Sequence, residues 1–222
     1  MAWTVGRLRN DCNRGDRMAH HDDIIEFFSV VRIANTEQVG RLFFADRGSP
    51  SKRASEALSE LAKEKLVEGE IIKLGEPKLW RLTKKAKDSK GIEKKAVPFH
   101  TAKINHWLAI TDLYIEISKV EKPLIFIPEY REVIENKKIF SPDVWMVWRK
   151  KPYFVEVQRT PIRSKAWQEK WRIYEHVYSR LSERAFQPKP PAKPVKPKIL
   201  VVTKQQKETI GAPRGIEVVM LS

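Results

Sequence analysis

The chain has 222 residues, with 43 Lys and Arg against 28 Asp and Glu, for a formal net charge of +15. Its 41% hydrophobic content can build a core, which excludes whole-chain disorder, and its length suits one large domain or two small ones. No apolar run approaches the roughly 18 residues of a membrane helix, no secretory signal is visible, and the single Cys12 excludes an intramolecular disulfide framework. A soluble, cytoplasmic protein without a membrane partner is expected, and the positive excess favours polyanions, nucleic acid first.

Residues 1–20 have no periodicity and read as a loose N-terminal arm. Asp22 or Asp23 can cap a first helix whose apolar residues include Ile24, Ile25, Phe27, Phe28, Val30 and Val31. A second short helix starts at Thr36 and ends at Phe43 or Phe44. Ser49 as N-cap with Pro50 at the first helical position starts a third, which runs to about Lys65. Its Ala54, Ala57, Leu58, Leu61 and Ala62 follow the i, i+3, i+4 rule. Two strand-like runs, Val67 to Lys73 and Lys78 to Leu82, flank the turn Leu74-Gly75-Glu76-Pro77.

Three helices and a two-stranded hairpin follow the winged-helix order, and residues 21–90 resemble a winged-helix DNA-binding domain. Leu58, Leu61 and Leu66 leading into a strand, the turn at Gly75, and Leu79-Trp80-Arg81-Leu82-Thr83 carry the resemblance. Ser51, Lys52 and Arg53 would open the recognition helix, whose N-terminal residues meet base edges or phosphates. Lys73, Lys78 and Arg81 in the wing could reach backbone phosphates.

Residues 84–98 are lysine-rich and nearly without apolar side chains, which places a boundary near Lys90 and a linker over 91–98. Residues 1–97 carry 20 basic and 15 acidic side chains, and 98–222 carry 23 and 13, so both halves are basic. The second domain, 99–222, opens with a helix from His100 to about Val120. A strand from Leu124 to Ile127 follows, then a turn over 134–138. Two more strands, Phe140 to Trp148 and Tyr153 to Gln158, precede a long helix from Ser164 to about Glu183. The Pro- and Lys-rich stretch 185–198 reads as an extended loop, and Lys198 to Thr203 and Ile216 to Leu221 read as strands. A helix between strands implies a crossover in a mixed sheet, so the fold class is α+β or α/β.

Strand side chains alternate faces, so Asp143 shares one with Trp145, and Glu156 shares one with Phe154 and Gln158. Pairing Trp148 with Tyr153 would set Asp143 opposite Gln158 and Trp145 opposite Glu156, gathering Asp143, Glu156 and Gln158 into one patch. A carboxylate inside an apolar strand needs compensation. A divalent cation, Mg²⁺ or Mn²⁺, relieves the repulsion of two carboxylates and can activate a water against a phosphodiester. His106 and Asp112 lie six apart, about 600° around a helix, and so do not read as a pair.

Pro142-Asp143, a spacer and Glu156-Val157-Gln158, in an α-β-β-β-α-β order, resemble the PD-(D/E)xK nuclease superfamily, with Gln158 where Lys is usual. More narrowly, a winged helix joined to this module resembles the replication-relaxation family of bacterial plasmids, phages and mobile elements. The matching stretches are residues 106–114, 141–143 and 155–158, with Lys170 and Tyr174. The resemblance implies that Asp143 and Glu156 are metal ligands and catalytic with Gln158, which would orient the attacking water or the scissile phosphate. Glu129 would be an additional ligand. Lys170 and Tyr174, at i, i+4, would face the DNA backbone, and Arg163 and Lys165 would contact phosphates. Double-stranded DNA is the implied partner, with replication or mobilisation proteins as further partners and a homodimer as an option, since winged-helix proteins often read two half-sites.

Two functions follow. One is a DNA-binding protein of plasmid, phage or mobile-element replication or relaxation with a metal-dependent endonuclease or nickase module. The other is a non-catalytic DNA-binding regulator whose nuclease-like module is a scaffold. A plain transcriptional regulator with an unrelated effector domain would instead place Asp143 and Glu156 far apart.

Overall fold

The computed structural model describes residues 14–134, 138–160, 163–184, 197–203, 211 and 218–221. The chain is mixed α+β, as the sequence predicts, and divides into two compact units, Met1–Phe99 and His100–Ser222. Among the described residues no helix is long and apolar enough to cross a membrane.

The first unit runs α1 (Arg14–Val31), β1 (Ala34–Asn35), α2 (Thr36–Phe43), α3 (Pro50–Lys63), β2 (Val67–Glu70), β3 (Leu79–Leu82) and α4 (Lys84–Ser89). Helix α1 starts upstream of Asp22 and Asp23, so these two are exposed mid-helix residues rather than caps. Part of the expected loose arm is therefore helical, and residues 1–13 lie outside the described residues. Asn35 caps α2 in a reciprocal box: its side chain accepts from the Gln38 N–H at 2.8 Å, and the Gln38 side chain accepts from the Asn35 N–H at 3.0 Å. Ser49 makes no side-chain cap; its φ of 58° is left-handed, and its carbonyl accepts the Arg53 N–H at 3.2 Å. Gly40 lets α2 approach α3, because a Cβ there would meet the Pro50 backbone at 3.0 Å.

Strand β3 is central in the order β1-β3-β2, with both neighbours antiparallel. Strand β1 lies where the sequence shows only a break. Trp80 packs its ring on Gly69 across the hairpin and donates its indole N–H to Thr36 Oγ1 at 3.0 Å. Ile24, Phe28, Val31, Leu58, Leu61 and Leu82 complete the core. The expected linker is corrected: residues 92–99 pack on this unit as a strap. Val97 and Phe99 are buried, and Arg32 and Arg81 donate to the Lys95 and Val97 carbonyls.

The second unit runs α5 (Ile104–Val120), β4 (Ile125–Pro128), β5 (Glu132–Ile134), β6 (Lys138–Phe140), β7 (Val144–Trp148), β8 (Lys151–Gln158), α6 (Ser164–Arg184), β9 (Lys198–Thr203) and β10 (Val218–Leu221). Five strands form one sheet in the order β10-β9-β8-β7-β4, parallel among β8, β9 and β10 and antiparallel among β8, β7 and β4. The run expected as one strand over 140–148 is two, because Ser141-Pro142-Asp143 interrupts it and β6 pairs instead with β5. On one face Phe154, Trp145 and Phe140 pack against Trp167, Trp171 and Tyr174 of α6. On the other, Phe126 meets Tyr114 of α5 edge-on, with ring centroids 5.0 Å apart. Most of the Pro- and Lys-rich stretch, 185–196, lies outside the described residues.

Candidate functional site

The β7–β8 hairpin sets the geometry. Its turn is Arg149-Lys150, with φ of 49° and 60°, a two-residue connection with both central residues left-handed. Trp148 therefore pairs with Lys151, not Tyr153, and the ladder is shifted by two from the expected register. Trp145 faces Phe154, and Val144 faces Val155. Because side chains repeat every two residues, a two-residue shift keeps every side chain on its expected face. Asp143, just before β7, and Glu156 on β8 still converge, joined through one backbone amide: the Val157 N–H donates to Asp143 Oδ2 at 2.7 Å.

Glu156 is 3% exposed on the α6 face of the sheet. Lys170 and Tyr174, one turn apart on α6, close over it. The Lys170 ammonium pairs with Glu156 Oε2, and the Tyr174 hydroxyl donates to Oε1 at 2.8 Å. Burial raises the Glu156 pKa, opposed by the Lys170 charge, and Asp143 adds a smaller upward push. The Tyr174 hydroxyl is held well above its ordinary value, first by burial and then by the Glu156 charge. On the other side, His106 of α5 sets Nε2 3.1 Å from Asp143 Oδ1. Burial pushes Asp143 up, but the His106 hydrogen bond and charge, the Lys170 charge and the Val157 amide together hold it below the ordinary carboxylate value.

Among the residues expected to act on DNA or metal, the structure unites Asp143, Glu156, Lys170 and Tyr174. Tyr174 is 2% exposed, so its expected contact with the DNA backbone is corrected: its hydroxyl serves the protein's own carboxylate. Lys170 is likewise committed to Glu156. Gln158 ends β8, half-buried on the Glu156 face and opposite Thr203 of β9. Glu129 has a φ of 49°, and its N–H donates to the Asp143 carbonyl at 2.7 Å, so it supports the Asp143 backbone. Arg163 and Lys165 are exposed at the start of α6.

These donors do not fit Mg²⁺ or Mn²⁺. All four carboxylate oxygens of Asp143 and Glu156 are engaged, by His106, Val157, Lys170 and Tyr174. A divalent cation at Glu156 would meet the Lys170 ammonium. Among the described residues no group of three or more His, Cys, Asp and Glu side chains could hold a metal, and Glu129 is not gathered with the pair.

Sequence reasoning missed His106, having weighed it only against Asp112. The available signal was its spacing: Ile110 and Leu113, at i+4 and i+7, are buried, which puts His106 on the stripe of α5 that faces the sheet.

In the first unit, Ser51, Lys52 and Arg53 are exposed at the first turn of α3. Arg53 Nε donates to the Gly48 carbonyl at 3.2 Å. Lys73 is exposed beside Glu76, and Lys78 lies over the Trp80 ring, 4.3 Å from its centroid. The expected phosphate role of Arg81 is corrected. It pairs with Glu68 at 2.7 Å, donates to the Val97 carbonyl at 2.6 Å and stacks on Phe99, which makes it the clasp of the strap.

The family model described as replication-relaxation matches residues 26–189. No curated protein matches the chain. One solved structure, protein VC1899 from Vibrio cholerae, is 11% identical with a TM-score of 0.32; the match covers 95% of this chain and 54% of that one, so the chain spans about half its length.

Proposed function

The chain belongs to the replication-relaxation family, which suggests a role in plasmid or mobile-element replication or relaxation, and from that premise we propose that it binds double-stranded DNA without hydrolysing it. The observation that carries the binding is the exposed first turn of α3, where Ser51, Lys52 and Arg53 project from a helix-and-hairpin unit of a chain with net charge +15. Helix N-terminal turns of this kind present donors and cations to phosphates and base edges. Lys73 at the hairpin tip, and Arg163 and Lys165 at the start of α6, supply further exposed cations.

The second unit acts in this reading as a scaffold. Its nuclease-like carboxylates are engaged internally, Glu156 by Lys170 and Tyr174, and Asp143 by His106. Phage or plasmid DNA is the ligand, and replication or mobilisation proteins are the partners that such a scaffold would serve. The test is fluorescence anisotropy on duplex DNA from the protein's own replicon across a salt series. The combined Lys52→Ala and Arg53→Ala variant should flatten the slope of log affinity against log salt by about two. A slope equal to that of the native chain would refute the α3 contact.

A further inference from the structure

The face of α3 turned away from the core carries a charge pattern of its own. Ala54, Leu58 and Leu61 bury the inner side of the helix. Lys52, Ser55, Glu56, Ser59 and Lys63 occupy an arc of about 100° on the opposite side, and all five are exposed. Lys52 and Lys63 stand near the two ends, about 16 Å apart along the helix axis, with Glu56 and Ser59 between them. The Ser59 hydroxyl donates to the Ser55 carbonyl at 2.7 Å. Glu60, on the flank of this face, has His21 Nε2 3.4 Å from its Oε2. Glu56 has neither a hydrogen bond nor an ion pair among the described residues. Lys52 precedes it by four residues, which is the weaker order for a charged pair on a helix.

We propose that Glu56 is a specificity-determining residue that accepts a hydrogen bond from the N4 amino group of a cytosine in the major groove, an assignment that rests on the DNA contact of α3 proposed above. The order of charges carries it. Lysines at both ends of the face match the phosphates along the two rims of a groove about 12 Å wide. A carboxylate between them is repelled by those phosphates and weakens binding to every duplex, unless a donor on a base answers it. The floor of the major groove offers two donors, cytosine N4 and adenine N6, and adenine sets the acceptor N7 beside its amino group. A carboxylate only accepts, so it favours cytosine.

The experiment selects bound duplexes from a random-sequence library with the native full chain, with Glu56→Ala and with Glu56→Gln, and sequences the bound fraction. The native chain should enrich cytosine at one position of its motif. Glu56→Ala should lower that preference by about tenfold and bind duplex of random sequence no more weakly than the native chain, because a charge repelled by phosphate is gone. Glu56→Gln, which both donates and accepts, should move the preferred base at that position to adenine. Glu56 is exposed and without a partner among the described residues, so both variants should melt with the native chain. A motif unchanged in Glu56→Ala, or a native chain that binds duplex with no preferred base, overturns the assignment and leaves the α3 contact standing. A native chain that retains no duplex from the library overturns that contact and the assignment with it.

Discussion

Replacing Lys170 with Met would leave Glu156 as a buried carboxylate without its cation. The Glu156 side chain is 4% exposed and that of Lys170 is 33% exposed. Breaking a buried ion pair from one side costs about 3–5 kcal/mol. The partial exposure of Lys170 puts the expected loss at the low end, about 2–3 kcal/mol after allowance for solvent screening. The loss is capped, because the carboxyl can take up a proton instead. With Lys170 gone, the folded pKa of Glu156 rises further above its unfolded value of about 4.3. A group with a raised folded pKa contributes its stability in full below the unfolded pKa and loses it as pH rises through the folded pKa. The deficit of Lys170→Met should therefore be small near pH 4 and grow towards neutrality. Urea unfolding followed by tryptophan fluorescence reads it, since five of the seven tryptophans lie in the second unit. With an m-value of about 1–2 kcal/mol/M, the midpoint should fall by about 1–3 M at neutral pH. Combining Glu156→Met, Lys170→Met and Tyr174→Phe removes every partner of the network together and should recover most of the loss. A single variant within about 0.5 kcal/mol of native, or a triple variant no better than the single one, would refute the reasoning.

The other expectations follow from single contacts. His106→Ala removes the hydrogen bond and charge that do most to lower the Asp143 pKa. A depressed carboxylate stabilises above its unfolded pKa and loses that contribution as pH falls through the folded value, so the stability gap to native should close as pH falls below about 4; a gap independent of pH would contradict it. Gly40→Ala should destabilise by about 1–3 kcal/mol in thermal melts despite alanine's better helix propensity, because its Cβ would press on the Pro50 backbone at 3.0 Å. Tyr174→Phe should cost about 1.5–3 kcal/mol of stability through the lost bond to Glu156 and leave the affinity for duplex DNA unchanged in anisotropy titrations. A weakened affinity would return Tyr174 to the DNA surface.

Local chemistry made the elements legible. The apolar spacing of Ala54, Leu58 and Leu61 placed α3, and the apolar run around Glu156 placed β8. What depended on partners distant in sequence was not legible. Strand β1 exists because Ala34 and Asn35 find Trp80 and Leu79, more than 40 residues on, and two residues carry no periodic signal of their own. The polar, lysine-rich strap read as a linker because its anchors, Val97 and Phe99, are few and the arginines that hold it bind backbone carbonyls. At the site, face alternation brought Asp143 and Glu156 together correctly, whereas the hairpin register came out wrong. Left-handed Arg149 and Lys150 form a turn that sequence associates with Asn-Gly, so a longer connection was expected. The i, i+4 spacing of Lys170 and Tyr174 put them on one face, but spacing alone does not say whether that face meets solvent or the sheet. His106 was weighed against Asp112 of its own helix, and only the fold brings it to Asp143.

The most direct test of DNA binding without hydrolysis is incubation of the native full chain with supercoiled plasmid carrying DNA from its own replicon, in Mg²⁺ and in Mn²⁺, with binding read on the same samples by gel shift. The expected result is salt-sensitive binding with the plasmid still supercoiled. Metal-dependent nicking or linearisation by the native chain, lost in both Asp143→Ala and Glu156→Gln, would contradict it and make the buried carboxylate pair a catalytic site.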